Sequence, residues 1–194
     1  MINLTHLSVI SRKDSMKIRI IRNEESVRRW TFTDHIINEK EHKDWICSVV
    51  ADKSRITLIV MEDEPIGIVG LTKIDEHNKR ADWVYYLCEK ARGRGLGIAV
   101  EFAFLDFVFN HTYIEKLNCE IIDGNKIIGI HKVFGLQHEG LRREDTIKDG
   151  KRVGVVLMGI TAGEWRKSRA SVYLRFEEKI NNNPIRIHAR HLGR

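Results

Sequence analysis

Cysteine is scarce: three residues, Cys47, Cys88 and Cys119, in a chain of 194. They are odd in number, scattered and never in C-x-x-C spacing. That excludes the usual zinc-ligand pattern and gives no disulfide framework. A reducing, cytoplasmic setting suits such usage. No run of eighteen apolar residues exists, so no membrane span is expected. The first stretch, MINLTHLSVISRKDS, lacks a basic segment followed by an apolar block, so no signal peptide is read. Internal repeats and low-complexity tracts are missing too.

What is present describes one globular domain. Apolar residues make up 42% of the chain and charged residues 31%, enough for a sizeable core under a soluble surface. The net charge of +6 suits an anionic partner. Much of the excess lies in residues 166–194, where eight Lys/Arg face two Glu.

Patterning gives a coarse order of elements. Residues 1–16 read as a loose lead-in, and KIRII (17–21) as a first strand. Residues 24–50 carry helical patterning in two pieces, with Asn38 and Glu41 spaced as a capping pair. RITLIVME (55–62) and PIGIVGLTKI (65–74) read as a hairpin, and RADWVYYLCE (80–89) as a further strand. Residues 95–109 form a helix apolar nearly all round, broken only by Glu101 and Asp106; such a helix is sandwiched rather than surface-draped. KLNCEII (116–122) is a strand and 125–134 a short helix. Residues 136–160 are two strands around the Asp149-Gly150 turn. The order is that of a mixed sheet with helices, not a repeating βαβ barrel. Residues 167–194 remain as a basic extension: SVYLRFEEKI is a helix or an added strand, and the segment beyond Pro184 is expected to be loose.

One stretch carries chemistry. Arg92, Gly93, Arg94, Gly95, Leu96 and Gly97 join a strand to the apolar helix. The first amides of a helix lack intrahelical partners and sit at the positive end of its dipole. Glycine lets backbone approach a phosphate closely, and arginine adds forked donors. No G-K-[ST] follows, and the glycine spacing is one residue short of G-x-G-x-x-G. A phosphate cradle of another kind remains; the plainer role is a glycine-rich connection before a core helix.

Arg92-x-x-Gly95-x-Gly97 at a strand–helix junction resembles motif A of the Gcn5-related N-acetyltransferases (GNAT), and the resemblance runs over residues 17–166. It implies an α/β (α+β) fold: a mixed, mostly antiparallel sheet with flanking helices and a cleft where one strand splays from its neighbour. It implies acetyl-coenzyme A as co-substrate, with no metal. The loop from Arg92 to Gly97 would hold the pyrophosphate, and Tyr86 and Leu87 would contact the pantetheine arm. EIIDGNKIIGIHKVFGLQHEG (120–140) resembles the family's strand, Asn-headed helix and [YH]-x-K-x-G-F segment, one residue shorter between Glu120 and Gly135 than the commonest version. This implies Asn125 as a coenzyme contact, His131 as proton donor to the leaving thiolate, and Glu120 as base.

IRNEESVRRWTFTDHIINEKEHKDWI (21–46) is similar to acetyltransferases of nucleotide-amino-sugar pathways, the pseudaminic acid type in particular. The implied acceptor is the 4-amino group of a UDP-linked amino-dideoxy sugar. Trp30, His35, His42, Trp83 and Tyr85 would line its pocket and Arg22, Arg28 and Arg29 would meet the nucleotide diphosphate, with Asn23 part of the same signature; the plainer roles are core for Trp83 and a solvated helix face for the arginines. Two other readings stay open. One is a protein amino terminus or a small amine as acceptor, although a polyamine needs an acidic pocket. The other is a non-catalytic module binding coenzyme A or, through the basic tail, nucleic acid; interleaved aromatics there are few, so nucleic acid is not expected. SVYLRF could serve a homodimer contact.

Overall fold

The computed structural model describes residues 1–188. Eight strands form one sheet in the order β6-β7-β5-β4-β3-β2-β1-β8. They are β1 (Ile2–His6), β2 (Ile56–Met61), β3 (Pro65–Asp75), β4 (Arg80–Leu87), β5 (Lys116–Ile122), β6 (Gln137–Lys148), β7 (Lys151–Thr161) and β8 (Ile185–His188). Among the described residues only β4/β5 and β1/β8 pair in parallel. The helices are α1 (Arg12–Asn23), the single turn α2 (Glu25–Arg28), α3 (Glu39–Ala51), α4 (Leu96–His111), α5 (Ile127–Phe134) and α6 (Ala162–Asn182). No described helix is long and apolar enough to cross a membrane.

The amino-terminal segment corrects two expectations. Residues 2–6 are not a loose lead-in: Ile2 and Leu4 alternate inward, and β1 lies between β2 and β8. KIRII is helical. Its alternation looks strand-like, but Ser11 caps α1 by accepting from the Asp14 amide (3.1 Å), and the three-residue spacing Ile18–Ile21 sets the buried face while Ile20 faces solvent. At α3 the capping box forms as the sequence suggests, with Asn38 and Glu41 bonding each other's backbone amides.

The carboxy-terminal segment is also built in. Thr161 and Glu164 form a capping box at the start of α6. Trp165 is fully buried between Phe102 and Phe134, and its Nε1–H donates to Asp106 (3.2 Å). Val172 is buried and Tyr173 and Phe176 pack on the same core, while Ser171, Leu174 and Arg175 of SVYLRF face solvent. Beyond Pro184, residues 185–188 form β8; residues 189–194 of the stretch expected to be loose lie outside the described residues.

Helix α4 therefore has protein on two sides, the sheet and α6, which is why its sequence shows no polar face. Its amino terminus, at Gly95, points at the gap between β4 and β5.

Trp165→Ala is expected to destabilise the protein by about 3–5 kcal/mol, the usual cost of deleting a buried aromatic. A urea midpoint unchanged from the parent protein would mean that α6 is an appendage rather than core.

Candidate active site

The cleft begins where two strands part. β4 pairs with β5 only through Arg80↔Lys116, Ala81↔Leu117 and Asp82↔Asn118. Beyond Asp82, β4 continues along β3 as far as Leu87↔Gly67, while β5 continues along β7 as far as Ile122↔Val155. The β5-facing edge of residues 83–87 is left without a strand partner.

The loop Arg92–Gly95 and the first turn of α4 close one end of this opening. Gly93 and Gly95 hold φ of 75° and 77°, a region that favours glycine. No described group accepts from the amides of Gly93, Arg94, Gly95, Leu96 or Gly97. Five successive free donors at a helix start make an anion cradle. Tyr85 braces it from below, its hydroxyl donating to the Gly97 carbonyl (3.2 Å).

The open volume is about 780 Å³. Of the residues expected to contact the coenzyme, Tyr86, Leu87, Arg92, Gly93, Gly95, Gly97 and Asn125 line it. Two do not. Arg94 turns away to Glu62 in the β2–β3 turn (Nη1–Oε2 3.0 Å), and Leu96 is buried under the helix start. Arg92 stays at the cleft, where its guanidinium donates to the carbonyls of Ser26 (2.7 Å) and Leu87 (3.3 Å) and ties α2 to the loop.

The expected acceptor residues separate into two groups. Trp30 and Tyr85 line the cleft, joined by Ser26 and Arg29. The others have structural partners. Trp83 is buried against Phe104 and His131 on the α4 side of the sheet. His42 is buried, with Nε2 bonded to the Ser15 carbonyl (2.8 Å), and its pKa is lowered by burial. His35 pairs with Glu41 at the surface (2.8 Å). Asn23 bonds both the N–H and C=O of Ile37 (2.9 Å each) and so pins the segment between α2 and α3. Lys148, the last residue of β6, holds the same segment through the carbonyls of Arg28 and Thr31 and the Asp34 carboxylate.

Arg22 stands apart. It lies outside the cleft lining and forms no ion pair among the described residues, and its Nη1 is buried without a hydrogen-bond acceptor, as is Nε of neighbouring Arg28. Burial lowers the Arg22 pKa; the nearby Tyr86 phenol opposes this and Arg28 adds to it. Burial in turn raises the Tyr86 hydroxyl, so it stays protonated at neutral pH.

Neither expected catalytic residue lines the open volume. Glu120 is held by Arg142 (Nη2–Oε2 2.7 Å), with Lys73 at 3.8 Å. Arg142 keeps this carboxyl below its ordinary pKa, which weakens it as a base. His131 is buried one layer behind the wall. Its Nδ1 bonds Glu101 Oε1 (2.7 Å), and Glu101 is the member of the pair that lines the cleft. Glu101 is fully buried, and its Oε2 has no partner. An ionised carboxylate so placed is costly unless a ligand or a proton meets it. Sequence reading missed its role, although it noted Glu101 as an interruption in an apolar helix. Lys126, Phe176 and Lys179 line the cleft as well and carried no sequence signal.

A sequence model of the acetyltransferase (GNAT) domain family matches residues 6–129, more than half of the chain. The chain belongs to this family. It is an N-acetyltransferase with acetyl-coenzyme A as acetyl donor, and the free amide cradle and open strand edge fit the pyrophosphate and pantetheine of that donor. The chain is 26% identical over 120 residues to an uncharacterised N-acetyltransferase p20 of Bacillus licheniformis, covering 61% of this chain and 67% of that one. It is 20% identical over 169 residues to the putative ribosomal N-acetyltransferase YdaF of Bacillus subtilis, covering 82% and 92%. The fold also matches spermidine N-acetyltransferase from Vibrio cholerae, a structure in complex with CoA and spermine. The TM-score is 0.76 and the identity 18%, over 86% of this chain and 97% of that one.

Both Gly93→Ala and Gly95→Ala place a side chain at left-handed φ, costing about 1–2 kcal/mol of stability each. A Cβ at Gly93 meets open space, whereas one at Gly95 falls 2.9 Å from Lys179 Cγ. Calorimetric titration with coenzyme A is expected to show the larger loss of affinity for Gly95→Ala. Undiminished binding by that variant would exclude the loop as the phosphate site.

Proposed function

We propose that this enzyme acetylates the amino group of an anionic, nucleotide-bearing acceptor, a UDP-linked amino-dideoxy sugar of the pseudaminic acid type. The observation that carries the reading is Arg22: a half-buried guanidinium beside Arg28 and Tyr86, with an orphaned buried nitrogen and no carboxylate partner. Two neighbouring cations with unused donors favour a diphosphate. Trp30 on the cleft wall offers a face for a base or sugar ring. The similarity of residues 21–46 to nucleotide-amino-sugar acetyltransferases points the same way.

A polyamine acceptor fits less well. Glu101 is the sole carboxylate lining the cleft among the described residues, and His131 engages one of its oxygens. A polycation would meet Arg29, Arg92, Lys126 and Lys179 instead. A protein amino terminus is the second reading, favoured by the similarity to the putative ribosomal N-acetyltransferase YdaF.

Acetyl-coenzyme A supplies a thioester whose carbonyl carbon bonds the acceptor nitrogen as the carbon–sulfur bond breaks onto sulfur. The free edge of β4 orients the pantetheine arm and offers amides to the developing oxyanion. The Gly93–Gly97 amides anchor the far end, so that proximity does much of the catalysis. The acceptor nitrogen sheds its proton to solvent. The departing sulfur takes one from the Glu101–His131 pair: the Glu101 carboxyl gives it at Oε2, the carboxylate so formed is held by the His131 Nδ1–H at Oε1, and a solvent proton restores the carboxyl after the products leave. Glu101 thus takes the acid role, and His131 serves it by stabilising the carboxylate left behind. Glu120, in its ion pair with Arg142, is assigned no proton transfer.

Two measurements test this subsection. Arg22→Met should raise KM for a UDP-amino sugar roughly tenfold, the value of one charged hydrogen bond, with KM for acetyl-coenzyme A unchanged. Thiol release with peptides or spermidine but not with nucleotide sugars would overturn the acceptor. Separately, His131→Gln and Glu101→Gln should each lower kcat roughly 10²-fold, a typical general-acid contribution, and leave coenzyme affinity nearly intact. Full turnover in either variant would remove the pair from the chemistry.

A further inference from the structure

We propose that the end of α6 belongs to the coenzyme site and that Lys179 is a phosphate ligand. The proposal rests on the acetyl-coenzyme A reading of the cleft and assigns part of that site to the segment expected from sequence to be an extension.

The geometry builds in steps. The first half of α6 is fixed to the core. Arg169 forks onto Asp106 of α4 (2.6 and 2.7 Å), and Ser168 donates to the Phe134 carbonyl at the end of α5 (3.1 Å). At Phe176 the helix breaks its regular path, with φ −122° and ψ 17°. The last turn is thereby redirected over the glycine loop. The Lys179 stem packs against Gly95, with Cγ 2.9 Å from where a Cβ would stand. Asn183 reaches the Arg94 carbonyl (3.5 Å) and the Lys179 carbonyl (2.8 Å), fastening the turn to the loop. Pro184 then accepts from the Ile2 amide (3.0 Å), and β8 joins the sheet beside β1. The lysine is thus carried on a short span anchored at both ends.

Its ammonium is uncommitted. Lys179 forms no ion pair or side-chain hydrogen bond among the described residues; Nζ lies over the Phe176 ring, 5.5 Å from its centroid. Phe176 and Lys179 both line the cleft. Arg92 and Lys126 line it too, and the lysine stem lies against Gly95, in the middle of the run of free amides Gly93–Gly97. A glycine here is required not by the turn alone but by the close approach of that stem. Three cations around unpaired donors, with Glu62 beside the loop already paired to Arg94 and Glu101 the sole carboxylate among the described cleft-lining residues, select a phosphate-bearing ligand. Coenzyme A offers two such groups, the pyrophosphate and the 3′-phosphate.

The test is calorimetric binding of coenzyme A, dephospho-coenzyme A and pantetheine to the full chain and to Lys179→Met, Lys179→Arg and Glu178→Gln. Lys179→Met is expected to weaken coenzyme A roughly tenfold, the equivalent of about 1.4 kcal/mol. Pantetheine binding and the thermal midpoint should be unmoved, Lys179→Arg should restore most of the loss, and Glu178→Gln should bind like the parent. An equal loss for dephospho-coenzyme A assigns the lysine to the pyrophosphate; a loss confined to coenzyme A assigns it to the 3′-phosphate. Unchanged coenzyme A affinity, or an equal loss with pantetheine, overturns the proposal. Failure of the parent protein to bind coenzyme A at all would instead refute the cleft assignment from which it starts.

Discussion

The parting of β4 from β5 is the constraint on which the rest of the structure depends. Backbone groups inside a sheet are normally satisfied by both neighbours, and leaving them unpaired is costly. Here each strand keeps one neighbour in register. β4 follows β3 to its end, and β5 follows β7 to its end, so the sheet opens between two intact halves. The three shared pairs at Arg80–Asp82 act as the root of a V. Helix α4 fills the space beneath it, with Tyr85 and Trp83 turned down onto that helix and its neighbours and Tyr86 turned up toward Arg22. The open edge, the free helix amides and the burial of the Glu101–His131 pair all follow from that one divergence.

Charge is distributed unevenly around the V. Above the sheet, the acidic groups nearest the opening are neutralised: Asp82 by Lys73, and Glu120 by Arg142. Cations near it are less engaged, Arg22 above and Lys179 at the loop. A site that spends its carboxylates on its own lysines and arginines is arranged for anions. The single exception is Glu101, which lies below the strand rather than on the acceptor side, and its partner is an imidazole that can exchange a proton with it.

Much of this was legible in the sequence, wherever the signal was local. The Asn38–Glu41 cap, the strand at residues 116–122 and the glycine loop are short patterns whose meaning does not depend on distant residues. KIRII was misread because five residues satisfy a two-residue and a three-residue period almost equally; burial of Ile18 and Ile21 decided it. The site residues divide on the same line. The glycines, the strand edge and Asn125 lie on the cleft, where the family resemblance put them. Asn23, His35, His42 and Trp83 do not, because each could serve either a ligand or a neighbouring group, and the fold supplied a neighbour. Glu101 could be seen as an anomaly, but its partner lies thirty residues away on another helix. The reach of α6 to the loop depends on a helix break at Phe176 that no residue pattern announces.

The parallel pairing of residues 2–5 with 185–188 has a thermodynamic consequence. It makes the outer margin of the sheet a shared possession of the two ends of the described chain. Peeling β8 away would strip β1 of one neighbour and at the same time slacken the turn above Gly95. Whatever steadies that turn therefore also shields the amides of the first strand, so events in the cleft and solvent exchange at the remote margin are linked through a single short ribbon.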